Sequence, residues 1–302
     1  MSAQSAASLS PVRQADAAAG DRDVARARAR DRRRLLVLGL RIALGAFIVG
    51  SWELTTRAGC HGPDTATCVI DPFFFGRPSG IVEQLGIWIQ NGTAQGPLWE
   101  QIAVTLEETV LGFAIGVVLG VIFGVILGRN RLLSDVAGPY IKALNAMPRI
   151  VLGSIFIMAL GFEIPSKVAL AVVLVFFVVF FNAFQGVREV DRDLLANARI
   201  LGASQRQLST HVILPSALSW IVASLHTSFG FALVGAIVGE YLGARKGIGL
   251  MIATAQGTFN ANGVFAAMLI LAVVAILAEA LVTRLENRLI RWRPNAITDV
   301  NI

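Results

Sequence analysis

Charge is scarce in this sequence. Asp, Glu, Lys and Arg make up 15% of 302 residues, against 55% hydrophobic, too few to coat a soluble surface, where about 25% is usual. With only three histidines in the chain, there is little from which to build a metal site. No G-x-x-x-x-G-K-[ST] phosphate loop, nucleophile elbow or H-E-x-x-H occurs. The chain therefore carries no visible means of hydrolysing ATP, and any uphill work would draw on a partner or an ion gradient. The two cysteines, Cys60 and Cys68, both fall in CHGPDTATC. On an oxidising face they would close a short disulfide loop; otherwise they are free thiols.

What is present is long apolar blocks, with a mean hydropathy of +0.67. Residues 35–54, 101–128, 141–161, 166–186 and 264–283 each approach the ~20 residues that cross a ~30 Å hydrocarbon core. A sixth block, 216–240, is more polar (His226, Thr227, Ser228) but long enough. The expectation is an all-α polytopic membrane protein with six transmembrane helices. Residues 1–34 read as a basic arm, disordered or a frayed helix, 35–100 as the first span and an outer loop, 101–292 as the core and 293–302 as a tail. A cleaved leader over 1–54 is the alternative, but no small-residue cleavage pattern follows it.

A net charge of +6 would point a soluble protein toward nucleic acid; here the placement of the charges matters more. The N-terminal arginines, Arg129, Arg131 and Lys142, then Arg188, Arg192, Arg199 and Arg206, then Arg284, Arg288, Arg291 and Arg293 fall on one side of a six-span chain. Arg57, Arg77, Lys167, Arg245 and Lys246 fall on the other. The positive-inside rule then puts both termini in the cytoplasm. In the outer loop, residues 81–90 read as a short interfacial helix, flanked by Trp88 and Trp99.

Within the second span a glycine recurs every four residues: Gly112, Gly116, Gly120, Gly124 and Gly128. Such a bare ridge admits another helix backbone closely. Pro148 is expected to kink the third span, and Pro215 to mark the start of the fifth. Asn145, Asn182, Gln185, His226, Thr227, Ser228 and Glu240 are polar at membrane depth, so each is either satisfied by a neighbouring helix or lines a translocation path. Glu107 and Glu108 read as a solvated interfacial pair.

Most informative is the loop at 187–220. DRDLLANARIL reads as a short helix with a stripe of Leu194, Leu195, Ala198 and Leu201, stopped by Gly202 at C′. ASQRQLSTHVI restarts a helix that runs to Pro215. Such a knob suits a groove in a cytosolic protein, or else lies on the inner leaflet.

This loop resembles the E-A-A-x3-G-x9-I-x-L-P signature of ABC importer permeases. It stands here as Ala196-Asn197-Ala198, Gly202, Val212, Leu214 and Pro215, with the first Glu and Ala replaced. TLEETVLGFAIGVVLGVIFGVILG, MPRIVLGSIFIMALGFEIPSKV, VGEYLGARKGIGLMI and LENRLIRW are similar to the nitrate, sulfonate and taurine subfamily over about residues 70–292, although Gly153 stands where many relatives have proline. The resemblance implies a type I (MetI-like) importer permease fold in a bacterial inner membrane. It implies a homodimer, two ABC ATPase subunits that hold the ATP and Mg, and a periplasmic or lipid-anchored solute-binding protein. It assigns ATPase coupling to the 187–215 loop, with Leu194, Leu195 and Ala203 added to the signature residues. The solute would be a small organic or inorganic anion. A gradient-driven transporter, which leaves the loop unexplained, or a membrane scaffold for a cytosolic enzyme is the rival reading.

Overall fold

A computed structural model describes residues 11–58, 71–190 and 192–289. Cys60, Cys68 and the 293–302 tail lie outside them, as does the Leu195 side chain. Helix α1 (Pro11–Ala58) lies in the first of two compact units, residues 1–71. Of the two readings of the arm, the helical one holds from Pro11 onward, where its run of alanine and arginine has high helix propensity. The stretch Arg32–Arg57 is long and apolar enough to cross a membrane.

The second unit, residues 72–302, holds α2 (Pro72–Phe75), α3 (Pro78–Asn91), α4 (Leu98–Arg129), α5 (Arg131–Ala146), α6 (Arg149–Leu160) and α7 (Ile164–Arg188). Then follow α8 (Arg192–Ile200), α9 (Gln205–Leu208), a π turn (Ser209–Ile213), α10 (Leu214–Leu242), α11 (Ile248–Gly257) and α12 (Ala261–Leu289). Of these, α4, α7, α10 and α12 contain membrane-length apolar stretches.

The core is the α4–α7 pair. A Cβ built on Gly112 would come 2.4 Å from the Ala171 Cβ; on Gly116, Gly120, Gly124 and Gly128 it would come 2.7–2.9 Å from the Cβ atoms of Val175, Val179, Ala183 and Val187. Both ridges step by four, so bare backbone on one helix meets short branched side chains on the other, rung for rung. With no hydrophobic drive between helices in lipid, this dispersion-dominated fit is what holds them. The residue numbers rise together along both ridges, so the two helices run parallel.

Parallel neighbours require a return crossing between them, and α5 with α6 provides it. The expected third span at 141–161 is corrected here: the helix breaks before Pro148 and the two pieces meet at 89°. Met147 and Pro148 are both extended, at ψ 138° and 106°. Proline pushes the residue before it out of the α region, and two extended residues turn the chain further than a kink. Helix α5 starts directly after α4, with Asn130 Oδ1 capping the Leu133 N–H at 3.1 Å.

Helix α10 runs antiparallel to α7: Gly186 abuts Ala217 and Trp220, while Gly235 abuts Ala171 and Gly239 abuts Lys167. One end of the bundle therefore carries α3, α11 and the start of α4. The other carries α8, α9, the start of α5 and the end of α7. Helix α3 covers the whole of the expected interfacial segment 81–90, and its Trp88 packs against the cluster of Ile248, Met251, Ala267, Ile270 and Val274.

Candidate functional site

The loop resembling the coupling signature forms at the second end. The chain leaves α8 through Gly202 at φ +81°, where a side chain is strained. The Ala203 N–H reaches back to the Ala198 carbonyl at 3.0 Å and the Gly202 N–H to that of Arg199 at 3.0 Å, which satisfies two carbonyls at the helix end. Ser204 and Gln207 then make a reciprocal capping box. The Ser204 N–H donates to Gln207 Oε1 at 2.8 Å, and the Gln207 N–H donates to Ser204 Oγ at 3.3 Å. Here the structure corrects a second boundary. The restarted helix does not stop at Pro215 but passes through the π turn straight into α10. The Leu214 N–H bonds Ser209 O, five residues back. A wide turn just ahead of Pro215 accommodates a ring that would crowd the carbonyl four residues earlier.

The tip is apolar and exposed: Ile200 is 82% and Leu201 86% exposed. Leu194, Ala196, Asn197, Gly202 and Leu214 are exposed, Ala198, Ala203 and Val212 half-buried, and Leu208 is buried beneath them. Ala198, Leu201, Gly202, Ala203, Leu208 and Val212 border a shallow hollow of about 340 Å³. Pro215 sits in the first turn of α10, so the knob runs into a membrane-length helix without an intervening loop.

At the opposite end lies a polar cluster that the sequence reading missed. The first N–H groups of α11 are each taken by a side chain from another helix. Gly247 N–H donates to Gln101 Oε1 at 2.8 Å, Ile248 N–H to Thr105 Oγ1 at 2.9 Å, and Gly249 N–H to Glu240 Oε2 at 2.6 Å. Thr105 Oγ1 donates to Glu240 Oε1 at 2.7 Å. Glu240, one of the expected path residues, is wholly buried in this cap. Glu108 is buried too, which corrects its assignment as a solvated pair with Glu107; only Glu107 is exposed. The signal was present: Glu108 stands four residues before Gly112, and Lys167 four before Ala171, so both continue the ridges of the α4–α7 ladder. Lys167, expected among the solvated outer charges, is 1% exposed and donates to the Phe162 and Glu163 carbonyls at 2.5 and 3.1 Å. It sits within electrostatic reach of Glu108 and Glu240.

The remaining expected path residues do not converge. Asn182 Nδ2 donates to the Val178 carbonyl at 2.8 Å, and Ser228 Oγ to that of Ser224 at 2.7 Å. Gln185 contacts Glu189, and His226 Nε2 lies 2.9 Å from Glu279 Oε1; Thr227 is exposed. Asn145 Oδ1 accepts from Arg149 Nη2 at 2.6 Å across the α5–α6 break.

Comparison with known proteins agrees with this architecture. The sequence pattern of the family described as "Binding-protein-dependent transport system inner membrane component" matches residues 116–291. The chain is 34% identical over 198 residues to the putative aliphatic sulfonates transport permease protein SsuC of Bacillus subtilis (strain 168), covering 66% of this chain and 72% of that protein. It is 34% identical over 199 residues to the riboflavin transport system permease protein RibX of Chloroflexus aurantiacus, covering 66% and 74%. Among solved structures, a chain of an amino acid ABC transporter crystallised with histidines matches 70% of this chain and 97% of its own length, with TM-score 0.53 and 19% identity, a likeness of fold. The family match takes in the whole α4–α7 ladder from Gly116 on, the knob and α10–α12, and the chain belongs to the binding-protein-dependent transport system inner membrane components, the multi-pass permease subunits of ABC importers.

Proposed function

We propose that this permease works as a homodimer whose two copies enclose one solute path, each seating its 192–213 knob in a groove of a separate cytosolic ATPase subunit. The observation that carries this is the knob itself. Its tip presents Ile200 and Leu201 to solvent on a segment tied by hydrogen bonds at both flanks and continuous with α10. Exposed apolar tips on a rigid stem are suited to a protein groove. Closure of the ATPase pair on ATP and Mg would draw two knobs together and tilt each α10, turning the path from inward- to outward-open. A solute-binding protein would deliver cargo at the α3–α11 end.

Orientation follows the charges. Arg129, Arg131, Arg188, Arg199 and Arg206 gather at the knob end of the bundle, and excess Lys and Arg mark the cytoplasmic face. Both termini then lie in the cytoplasm. The solute class is a small organic or inorganic anion such as a sulfonate, a reading supported by the sulfonate name of one relative. The riboflavin name of another relative at the same identity fits a family in which the binding protein sets most of the specificity.

Purification from the native membrane in mild detergent tests the assembly. Wild type is expected to carry an ATPase subunit that Leu201→Asp releases, with the variant still folded by circular dichroism. Retention of the ATPase by the variant, or its absence from wild type, would contradict the docking role.

A further inference from the structure

Arg149 is a cation at the middle of the bundle, and among the described residues no carboxylate lies against it. Its depth follows from its neighbours. The guanidinium carbon stands 5.6 Å from the centroid of the Phe177 ring. Phe177 lies between Val175 and Val179, the rungs facing Gly116 and Gly120, thirteen residues from one end of α7 and eleven from the other. At ~1.5 Å per residue it is roughly 17–20 Å from either end. The flanking helices agree. Near its start, α5 is tied to the knob end, where Arg188 donates to Ser134. From Arg149, α6 climbs past Gly153, packed on Leu170 and Leu242, toward Phe162 beside Lys167.

Lys167 has Glu108 and Glu240 within reach, and His226 faces Glu279. Arg149 has the Asn145 amide oxygen and the face of Phe177, and among the described residues no Asp or Glu pairs with it. Guanidinium offers five donors in a fixed fork matched to carboxylate, sulfonate or phosphate oxygens. One is taken by Asn145, and the side chain is only half-buried. A charge at this depth turned to lipid costs about 2.5–3.5 kcal/mol even on the most lenient scale. The lipid headgroups lie more than a side-chain length away. A cation so placed faces a water path or a counter-ion, and it sits at the break of a discontinuous helix, where transporters build midplane sites.

We infer that Arg149, positioned by Asn145 and Phe177, is the group that receives the anionic head of the solute midway along the path. This rests on the permease reading above and adds to it a residue and a charge class: a compact oxyanion, carboxylate or sulfonate, would complete the pairing that the chain leaves open. A neutral solute would leave Arg149 uncompensated at every turnover.

The test needs no knowledge of the natural solute. Ala146→Cys, at the exposed end of α5 three residues before Arg149, is introduced as a reporter in the permease–ATPase complex in membrane vesicles, and the same chain without the reporter gives the background. Modification rates are measured with anionic 2-sulfonatoethyl methanethiosulfonate and with its cationic trimethylammonium counterpart, with and without ATP. The expected result is that Arg149→Gln lowers the anionic-to-cationic rate ratio about tenfold, as loss of a focused positive potential should, and that Arg149→Lys restores most of it. A reporter sealed from both reagents in both nucleotide states, or a ratio indifferent to Arg149→Gln, would overturn the assignment. The ATPase content of the same vesicles separates the two levels. Vesicles lacking a bound ATPase count against the coupling reading, while the rate ratio still decides for or against an anion path at Arg149.

Discussion

At the residue scale the bundle is set by positions where a hydrogen is all that fits. A Cβ on Gly120 would meet the Val179 Cβ at 2.8 Å and the Phe176 carbonyl at 3.1 Å. Gly120→Val must push α4 from α7, and overpacking of this kind costs about 1–3 kcal/mol or more. Gly45, with nothing within 4 Å of an added Cβ, is the matched control: Gly45→Ala should leave the thermal midpoint in detergent unchanged while Gly120→Val lowers it. Thr105→Val removes both an acceptor for the Ile248 N–H and the donor to Glu240. Leaving such groups unpaired in the interior costs about 1–3 kcal/mol each. Faster amide exchange at Ile248 and Gly249 is the expected sign that α11 has come loose; unaltered exchange would show that the cap does not hold it. The glycine ridge was legible in the sequence because its period is local. Its partner was not, since nothing in 108–128 names 167–187. Yet the period, extended one step back, reaches Glu108 and Lys167, and it would have told Glu108 from Glu107, which hydropathy cannot.

At the element scale the decisive features are two breaks. The one at Met147–Pro148 was readable as a kink; its size was not, because it depends on two consecutive extended residues. The knob was more legible. Gly202 sits at positive φ after α8, and the Ser204–Gln207 box follows a sequence rule. The continuation of the helix past Pro215 was hidden, since a proline reads as a boundary until a π turn absorbs it. Pro215→Ala should let Ser209–Ile213 relax toward α-helical hydrogen bonding and shift the knob's register on α10. ATP hydrolysis per solute carried should rise as coupling slackens, by about 5- to 150-fold if the full 1–3 kcal/mol typical of a coupling energy is lost. A variant with wild-type stoichiometry would show that the π turn plays no part.

Over the whole molecule, crossings, charge and packing give one direction. The parallel α4–α7 pair demands a return crossing, and the broken α5–α6 pair supplies it, so residues 72–302 cross five times where hydropathy alone finds four clear spans, and Arg32–Arg57 brings the count to six. The six-span reading of the sequence reached that count from its apolar blocks, with the charge pattern in agreement, although it drew the third span as one helix. A cysteine placed at Asn91 should be labelled by an impermeant maleimide from the periplasm, and one at Arg206 only after the cells are opened. The reverse would invert the topology. The family signature in the loop made the function readable; Arg149 went unread because a single arginine in an apolar block gains meaning only when its surroundings are seen to hold no acid.

The central claim is that the 192–213 knob converts a partner's ATP hydrolysis into solute movement. Its most direct measurement is uptake and ATP hydrolysis in the same proteoliposomes, comparing wild type with Gly202→Val. Valine at φ +81° is strained, by about 1–2 kcal/mol on steric grounds, and should loosen the turn between α8 and α9 while leaving the apolar tip that holds the ATPase and the bundle in place. The account predicts that uptake collapses while hydrolysis by the bound ATPase continues; uptake at the wild-type rate per ATP would contradict it.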